Sequence, residues 1–302
     1  MSNLAKQTSG NGTNKKGRTT GRKINFLLLP LLALLLVLAA CGAKPADQTA
    51  ANQAAGSNNG TEAAETKPAA EKVTLTISAA ASLTDALTDI QKTYEEANSN
   101  VKLEFNFGAS GALQQQIEQG APADLFLSAS TKNMQALLDG GLIGTDKEKN
   151  WLTNTLVVVV PAEGGANVTK IEDLSAADVK HVAIGIPDSV PAGKYAQEAL
   201  TNSKLWDSLQ DKLVQGKDVR QVLQYTETGN ADAGFVYKTD AMTSDKVKVA
   251  FDVDASTYSP INYPIGIVKS TGHEAEAQAF YDYLQTKEAL DVLSGYGFSV
   301  AK

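Results

Sequence analysis

The feature that most constrains the fold is a repeated alternation of short β-rich runs with helical patterns. Residues 73–78 alternate apolar and polar side chains, as a half-buried strand does, and residues 83–97 carry leucine, isoleucine and tyrosine at helical spacing. The same strand-then-helix order recurs along the rest of the chain. This order predicts an α/β protein whose sheets are mostly parallel and flanked by helices.

The later elements favour two lobes over one long sheet. A continuous apolar run at residues 156–160 is typical of a strand that is buried on both faces or that crosses between two bodies. We expect a first lobe over about residues 73–157 and 258–302 and a second lobe over about residues 158–257, with one doubly wound domain as the alternative. The other predicted strands are 101–107, 124–127, 182–186, 233–237 and 262–268, and the other predicted helices are 113–119, 131–138, 193–213, 219–226 and 274–293.

The first forty residues have the features of a secretory signal peptide. They contain six lysines and arginines and no acidic residue, and the apolar stretch at 26–40 leads directly to Cys41. A permanent transmembrane anchor is disfavoured, because a span needs about 20 apolar residues and this stretch is shorter and contains Pro30. Residues 38–41 resemble a bacterial lipobox. We therefore predict that residues 1–40 are a lipoprotein signal peptide and that Cys41 becomes the lipid-modified first residue.

The segment that follows, residues 41–72, is predicted to be the lipidated cysteine and a disordered tether. It is rich in small and polar residues and almost free of large apolar side chains, so it cannot bury enough surface to offset the entropy of ordering. Residues 73–302 are enough for a sizeable core and form the predicted folded domain. The leader and the tether together predict an extracytoplasmic protein that is anchored to the cell membrane.

The charge of the chain argues against two classes of partner. The formal net charge is −7, and removal of the six cations of the leader lowers it from −7 to −13. Nucleic acids and anionic membrane surfaces attract clustered lysine and arginine, so neither is expected as a partner. A ligand must therefore be recognised by local chemistry.

The inventory of catalytic side chains is thin. His181 and His273 are the only histidines and Cys41 is the only cysteine, so a zinc site, a Ser-His-Asp triad and an internal disulfide are not expected. The segment around Ser110 looks like a nucleophile elbow, but alanine stands two residues later, where that motif needs glycine. We expect a protein without enzymatic activity or cofactor, with a secreted hydrolase that uses Ser110 as the alternative.

Small hydroxyl residues stand at two strand-to-helix junctions. Ser82 precedes the first predicted helix, and Ser110 occupies the equivalent place before the second. Each serine alone is typical of a helix N-cap. In α/β sheets, however, ligands bind beyond the carboxyl ends of the strands, where the free N–H groups of helix N-termini attract anions. The pair therefore favours an anion site.

The second lobe has two further helix starts. Pro191 near a first helical position leaves the N–H groups of Ala192 and Gly193 without partners inside the helix. Asp218 is typical of a helix cap and places the Val219 amide in the first turn. Four helix N-termini that face one cleft and four unrelated caps that face water both fit the sequence.

Six motifs, in order and in spacing, resemble those of one family. They are residues 79–84, 107–110, 120–126, 190–193, 218–220 and 236–237. Over about residues 73–302 the chain is similar to the periplasmic or lipoprotein molybdate-binding component of ABC transporters. The resemblance implies a two-lobed type II periplasmic-binding-protein fold, in which each lobe is a mostly parallel sheet flanked by helices and the ligand lies in the cleft between the lobes.

The resemblance also implies which residues bind the ligand. Five residues would hold the molybdate oxyanion through neutral donors: Ser82 and Ser110 through hydroxyl and backbone groups, Ala192 and Val219 through backbone N–H groups, and Tyr237 through its phenolic hydroxyl. Molybdenum would be bound only as this oxyanion, without direct metal ligands. Some members have a run of serines where this chain has glycines beside Ser110, which leaves the neighbouring contacts open.

The function that the resemblance implies is transport. A monomer anchored through Cys41 would capture molybdate, and tungstate as a second ligand, and deliver it to the permease and ATPase subunits of an ABC transporter. A sulfate- or thiosulfate-binding protein is the near alternative, because these oxyanions differ from molybdate mainly in bond length.

Overall fold

The structure is a computed structural model that describes residues 71–302. The predicted signal peptide at 1–40, the predicted lipidation of Cys41 and almost all of the predicted tether at 41–72 lie outside the described residues. Within the part that is described, no helix combines the length and the apolar character needed to cross a membrane.

The described chain forms eleven strands and nine α-helices, which fall into three consecutive groups. The first group is β1 (Val73–Ala80), α1 (Thr84–Ala97), β2 (Val101–Gly108), α2 (Ser110–Glu118), β3 (Leu125–Leu127), α3 (Thr131–Asp139) and β4 (Ile143–Thr153). The second is β5 (Leu156–Pro161), β6 (Val182–Gly185), α4 (Pro191–Asn202), α5 (Trp206–Leu209), β7 (Leu213–Gly216), α6 (Val219–Glu227), β8 (Ala233–Tyr237), α7 (Lys238–Ala241) and β9 (Val247–Asp252). The third is β10 (Asn262–Val268), α8 (Glu274–Tyr283), α9 (Lys287–Gly295) and β11 (Ser299–Val300).

The first lobe combines the first and third groups around a six-stranded sheet. The strand order is β11-β4-β10-β3-β1-β2. β1 pairs in parallel with β2 and β3, whereas β10 is antiparallel to β3 and β4. β1 and β2 end in register, with Ala80 opposite Gly108. The segments that follow these two strands therefore begin side by side at one edge of the sheet.

The second lobe consists of the second group around a five-stranded sheet in the order β7-β6-β8-β5-β9. β6 pairs in parallel with β7 and β8, and β5 is antiparallel to β8 and β9. The predicted α/β fold with two lobes is confirmed, but the sheets are mixed rather than mostly parallel. The reason is that β5 and β10, the first strands after each crossing between the sheets, run antiparallel to both neighbours.

The chain crosses from the first sheet to the second at residues 154–155 and returns through residues 253–261. The apolar run at 156–160 is buried throughout and forms most of β5, which pairs only with strands of the second sheet. The predicted boundary at about residue 157 lies within three residues of this crossing. The run is a central strand of the second lobe, and the crossing precedes it.

The helices pack apolar faces against the sheets. α1 buries Leu87, Ile90 and Tyr94, which lie three or four positions apart and so share one face of the helix. The Tyr94 ring also contacts Phe280 of α8, with ring centroids 4.9 Å apart. These contacts fix α1, and with it the turn that connects β1 to this helix.

Candidate ligand-binding site

A small cavity lies between the two lobes. Its lining includes the five residues that the resemblance assigned to ligand binding: Ser82, Ser110, Ala192, Val219 and Tyr237. The rest of the lining is alanine, glycine, valine and proline, so among the described residues no charged side chain lines it. The structure thus brings the five residues together around one neutral cavity, and their role as ligands stays a prediction.

The two serines reach the cavity by the same route. Ser82 stands two positions after the last residue of β1, and Ser110 stands two positions after the last residue of β2. Because these parallel strands end in register, both serines lie at the same edge of the first sheet. Both are buried, with exposed fractions of 3% and 1%.

Neither serine caps its own helix, so the simplest interpretation of each serine was wrong. Ser110 is the first residue of α2, and its Oγ accepts a hydrogen bond from the Ala129 N–H at 2.9 Å. Ser82 lies in a 3-10 turn, and its Oγ is 2.8 Å from the Tyr263 hydroxyl oxygen. Since Ala129 occupies a lone pair of Ser110, the serine proton can point into the cavity as a donor.

Two helices of the second lobe begin at the cavity. α4 starts at Pro191 without a side-chain cap among the described residues, so the Ala192 N–H in its first turn has no partner within the helix. α6 starts at Val219, and its cap, Asp218, accepts from the Gln221 N–H at 2.8 Å rather than from Val219. Each N-terminus carries a partial positive charge, which favours an anion at this place.

Close backbone packing fixes the start of α4. A Cβ added to Gly193 would lie 2.0 Å from the Gly185 carbonyl oxygen, and a Cβ added to Gly185 would lie 2.4 Å from a methyl carbon of Val190. Both distances are far shorter than van der Waals contacts. Only glycine at both positions therefore lets the first turn of α4 rest on the end of β6, which places the Ala192 N–H at the cavity.

Tyr237 ends β8 with its side chain buried and its hydroxyl unpaired. Its exposed fraction is 1%, and the hydroxyl has no hydrogen-bond partner among the described residues. Burial, together with the neighbouring Tyr263 side chain, raises the pKa of Tyr237 well above its ordinary value, so the phenol keeps its proton and remains a donor. An unpaired buried polar group costs about 1–3 kcal/mol. An acceptor in the cavity would remove this cost.

Sequence reasoning missed two residues that contact the first-lobe side of the site. Tyr263 of β10 is fully buried, and its hydroxyl oxygen lies 2.8 Å from Ser82 Oγ. Asn154, at the crossing between the sheets, donates from Nδ2 to the same hydroxyl at 3.3 Å. The contact of Tyr263 with Ser82 spans 181 positions of the sequence, so no local motif could have indicated it.

Direct bonds join the lobes around the cavity. The Gly111 N–H of the first lobe donates to the Ser189 carbonyl oxygen of the second lobe at 3.0 Å. Arg220 of α6 pairs with Asp85 of α1 and also, at 2.8 Å, with the buried carboxylate of Asp240 in its own lobe. These contacts hold the lobes together in a closed arrangement.

A wider, open groove runs beside the cavity between α1 and α6. Three carboxylates line it, those of Asp85, Asp218 and Glu227, together with the cationic side chains of Lys217 and Arg220. Carboxylates repel an anion and accept hydrogen bonds instead of donating them. The neutral cavity is therefore the better candidate for an oxyanion.

The arrangement around Ser110 does not suit a hydrolase. Neither histidine of the chain lines the cavity, because His181 lies just before β6 and His273 just before α8. Ser110 Oγ is held by a backbone N–H donor instead of a base that could take its proton.

Comparison with known proteins decides the family. Residues 75–299 match the model of the family described as bacterial extracellular solute-binding protein. The chain belongs to this family. The family is described by the binding of a solute outside the cell, which agrees with the prediction of a binding protein.

Several individual proteins are similar to this chain over most of their length. The Bacillus subtilis protein named as an ABC transporter substrate-binding lipoprotein, YvgL, is 52% identical over 229 residues, which cover 76% of this chain and 87% of that protein. The molybdate-binding protein ModA of Haemophilus influenzae is 42% identical over 229 residues, 74% of this chain and 89% of that protein. The solved structure of the Azotobacter vinelandii periplasmic molybdate-binding protein matches with a TM-score of 0.69 and 25% identity, over 76% of this chain and 100% of that chain.

Proposed function

We propose that this solute-binding protein captures molybdate, and tungstate as a second ligand, outside the cytoplasm and delivers it to the permease and ATPase subunits of an ABC transporter. The observation that carries the proposal is the neutral cavity between the lobes, with the unpaired Tyr237 hydroxyl among its donors. Relatives that are named molybdate-binding proteins support the choice of ligand.

The charge state of molybdate fits a site of this kind. Near neutral pH molybdate is a fully deprotonated dianion, so its oxygens accept hydrogen bonds and none donates. A cavity with O–H and N–H donors and without a carboxylate matches such a ligand. A singly protonated oxyanion such as hydrogen phosphate needs at least one acceptor, and its proton would be left unpaired here.

The proposed ligands divide between the lobes. The first lobe would supply the hydroxyl groups of Ser82 and Ser110, and the second would supply the N–H groups of Ala192 and Val219 and the hydroxyl of Tyr237. Both N–H groups lie in the first turns of their helices, where the helix dipole adds to the attraction for an anion. Fixed donors of this kind need little reorganisation when the ligand binds.

The acidic surface of the protein does not oppose this function. Surface charges are screened beyond a Debye length of about 8 Å at physiological ionic strength. Donors that contact the anion act within hydrogen-bond distance, and closure of the lobes excludes the water that would compete with them. The local dipoles therefore decide the binding.

The lipid anchor belongs to the same proposal, although Cys41 lies outside the described residues. Its place at the end of the apolar leader is the sequence observation, and the name of the Bacillus relative as a lipoprotein supports it. An anchored carrier with the predicted tether at 41–72 would stay close to its permease at high effective concentration.

A thermal unfolding assay with a panel of oxyanions tests the proposal. A ligand at ~100 times its dissociation constant stabilises the folded state by about 2.7 kcal/mol, which is several degrees for a domain of this size. At equal concentrations we expect molybdate and tungstate to raise the melting temperature much more than hydrogen phosphate does. A shift with sulfate or thiosulfate but not with molybdate would replace the proposed ligand with the near alternative.

A further inference from the structure

A chain of hydrogen bonds leads from the crossing between the sheets to Ser82. Asn154 Nδ2 lies 3.3 Å from the Tyr263 hydroxyl oxygen, and this oxygen lies 2.8 Å from Ser82 Oγ. Tyr263 is fully buried, and Ser82 has an exposed fraction of 3%. The two hydroxyl groups therefore settle their donor and acceptor roles without help from bulk water.

The amide of Asn154 sets the direction of this chain. Its Oδ1 accepts a hydrogen bond from the Thr155 N–H at 2.8 Å, so its Nδ2 must be the end that faces the two hydroxyl groups of Thr239 and Tyr263. In the opposite orientation the Asn154 side-chain NH₂ group would face the Thr155 backbone N–H, and neither group could accept a hydrogen bond. Tyr263 therefore receives a hydrogen bond from Asn154.

The direction of the hydrogen bond between Tyr263 and Ser82 determines whether Ser82 can donate a hydrogen bond into the cavity. A tyrosine hydroxyl that accepts from Asn154 keeps its own proton, and Ser82 Oγ is an acceptor only 2.8 Å away. If Ser82 instead donated its own proton to Tyr263, it could present only lone pairs to the cavity. With Tyr263 as donor, the Ser82 proton is available to an acceptor in the cavity.

We propose that Asn154 and Tyr263 are positioning residues that fix Ser82 as a hydrogen-bond donor and so set the preference of the site for fully deprotonated oxyanions over singly protonated ones. This inference rests on the proposed function, because it concerns the same cavity. It assigns selectivity to two residues that do not line the cavity.

The position of Asn154 links the direction of these hydrogen bonds to the arrangement of the lobes. Its backbone N–H donates to the Ile261 carbonyl oxygen at 3.3 Å, where the two crossing segments meet. Its side chain donates to Thr239 in the second lobe and to Tyr263 in the first. The orienting amide is therefore held from both lobes at once.

One substitution can reverse the direction of the hydrogen bonds from Asn154 to Ser82. In Asn154→Asp the side chain can only accept while ionised, so Tyr263 would donate to it and Ser82 would have to donate to Tyr263. Tyr263→Phe instead removes the connection and leaves Ser82 free to rotate. The double variant, Asn154→Asp with Tyr263→Phe, carries the new charge without the connection.

The test measures the affinities of molybdate and of inorganic phosphate for each variant by isothermal titration calorimetry at neutral pH. Tyr263→Phe is expected to weaken molybdate by about tenfold, the upper range for one neutral hydrogen bond, and to weaken phosphate less. Asn154→Asp is expected to weaken molybdate binding more than Tyr263→Phe does. It should also lower further the ratio of the molybdate affinity to the phosphate affinity. In the Tyr263→Phe background, Asn154→Asp is expected to have little additional effect.

Tyr258→Phe is the matched control. It removes another hydroxyl at the same crossing, one that accepts from the Leu156 N–H at 3.3 Å and does not contact Ser82. It is expected to leave the ratio of the two affinities unchanged. A loss of selectivity in this control equal to that in Tyr263→Phe would overturn the inference, because a general loosening of the crossing would then explain both.

Three further results would overturn the inference. The first is an equal loss of molybdate and phosphate affinity in Tyr263→Phe. The second is an effect of Asn154→Asp that has the same size with and without the Tyr263 hydroxyl. Such an effect would come from the added charge alone. The third is molybdate binding that needs Ser82 but is unchanged in Tyr263→Phe. If the unmodified protein does not bind molybdate, the proposed function itself fails. If Asn154→Asp does not fold, the ratio in Tyr263→Phe decides.

Discussion

The backbone N–H of Gly111 donates a hydrogen bond to the carbonyl oxygen of Ser189 across the boundary between the lobes, at 3.0 Å. The two backbones approach so closely that a Cβ on Gly111 would lie 2.6 Å from that oxygen. The closed arrangement thus depends on the absence of a side chain at this position.

Gly111→Ala is expected to hinder closure and weaken molybdate binding. Overpacking of this kind costs about 1–3 kcal/mol, which corresponds to roughly a 5- to 150-fold loss of affinity. Calorimetric titration measures the loss. Gly272→Ala is the matched control, since an added Cβ there meets nothing within 4 Å. Equal affinities for the two variants would show that binding does not require this contact.

Tyr237→Phe is expected to weaken molybdate while it stabilises the ligand-free protein. The lost hydrogen bond to a charged ligand is worth about 1.5–3 kcal/mol, and removal of the unpaired buried hydroxyl relieves part of a cost of about 1–3 kcal/mol. Urea unfolding without ligand and calorimetry with ligand measure the two changes. A loss of stability without ligand would indicate that the hydroxyl has a structural partner instead.

Ser82→Ala and Ser110→Ala are each expected to reduce molybdate affinity by about 1.5–3 kcal/mol, the range for hydrogen bonds to charged groups. Ser128→Ala is the control, because Ser128 is fully buried and does not line the cavity, and among the described residues its hydroxyl bonds only with the Ser130 backbone. It should alter the free energy of unfolding and not the affinity. Unchanged affinity in both site variants would place the ligand elsewhere.

Asp240 gives the protein a specific dependence on pH. Burial raises the pKa of this carboxyl from 3.8 to about 6, and the neighbouring Arg220 only partly opposes the shift. A carboxyl with a raised pKa holds its proton more tightly in the folded state, so its contribution to stability is present below its unfolded pKa and is lost as the pH rises through about 6. The loss is on the order of 3 kcal/mol.

Asp240→Asn should remove this loss. We expect the difference in the free energy of unfolding between the variant and the unmodified protein to grow in favour of the variant from about pH 4 to about pH 7. Urea unfolding at both values measures it. A constant difference would mean that Asp240 has the same pKa in the folded and unfolded chains.

Cys41→Ser is expected to abolish lipid attachment without changing the binding of molybdate in solution. The cavity lies wholly within the described residues, whereas Cys41 belongs to the predicted leader junction. Incorporation of labelled palmitate and molybdate uptake by cells should both fall. Normal uptake in the variant would show that the anchor is not needed for delivery.

The parts of the fold that followed from the sequence are those with local signals. β1 and β2 alternate apolar and polar residues, and the helices after them repeat at helical spacing, so this corner of the first sheet was predicted correctly. Ser82 and Ser110 were placed at the same kind of junction. What the sequence could not show is that their hydroxyl groups turn away from their own helices, because Ala129 and Tyr263 reach them only in the folded chain.

Elements stabilised by distant partners were missed. β4 runs through a polar, highly charged stretch and exists because it pairs with β10 on one side and β11 on the other. The long helix predicted at 193–213 ends at Asn202, and Lys204 then adopts a positive φ of 60° before the chain continues into α5 and β7. For β4, tertiary pairing outweighed the local preference.

The two sheets contribute to the cavity through the same device, a pair of parallel strands that end level with each other. Ala80 lies opposite Gly108 in the first sheet, and Gly185 lies opposite Gly216 in the second. Each sheet alone offers only some of the donors, so an anion is surrounded only when both edges meet. Under the proposed function, a bound anion therefore favours the closed shape of the whole molecule. A membrane partner can then distinguish a loaded carrier from an empty one without touching the cargo.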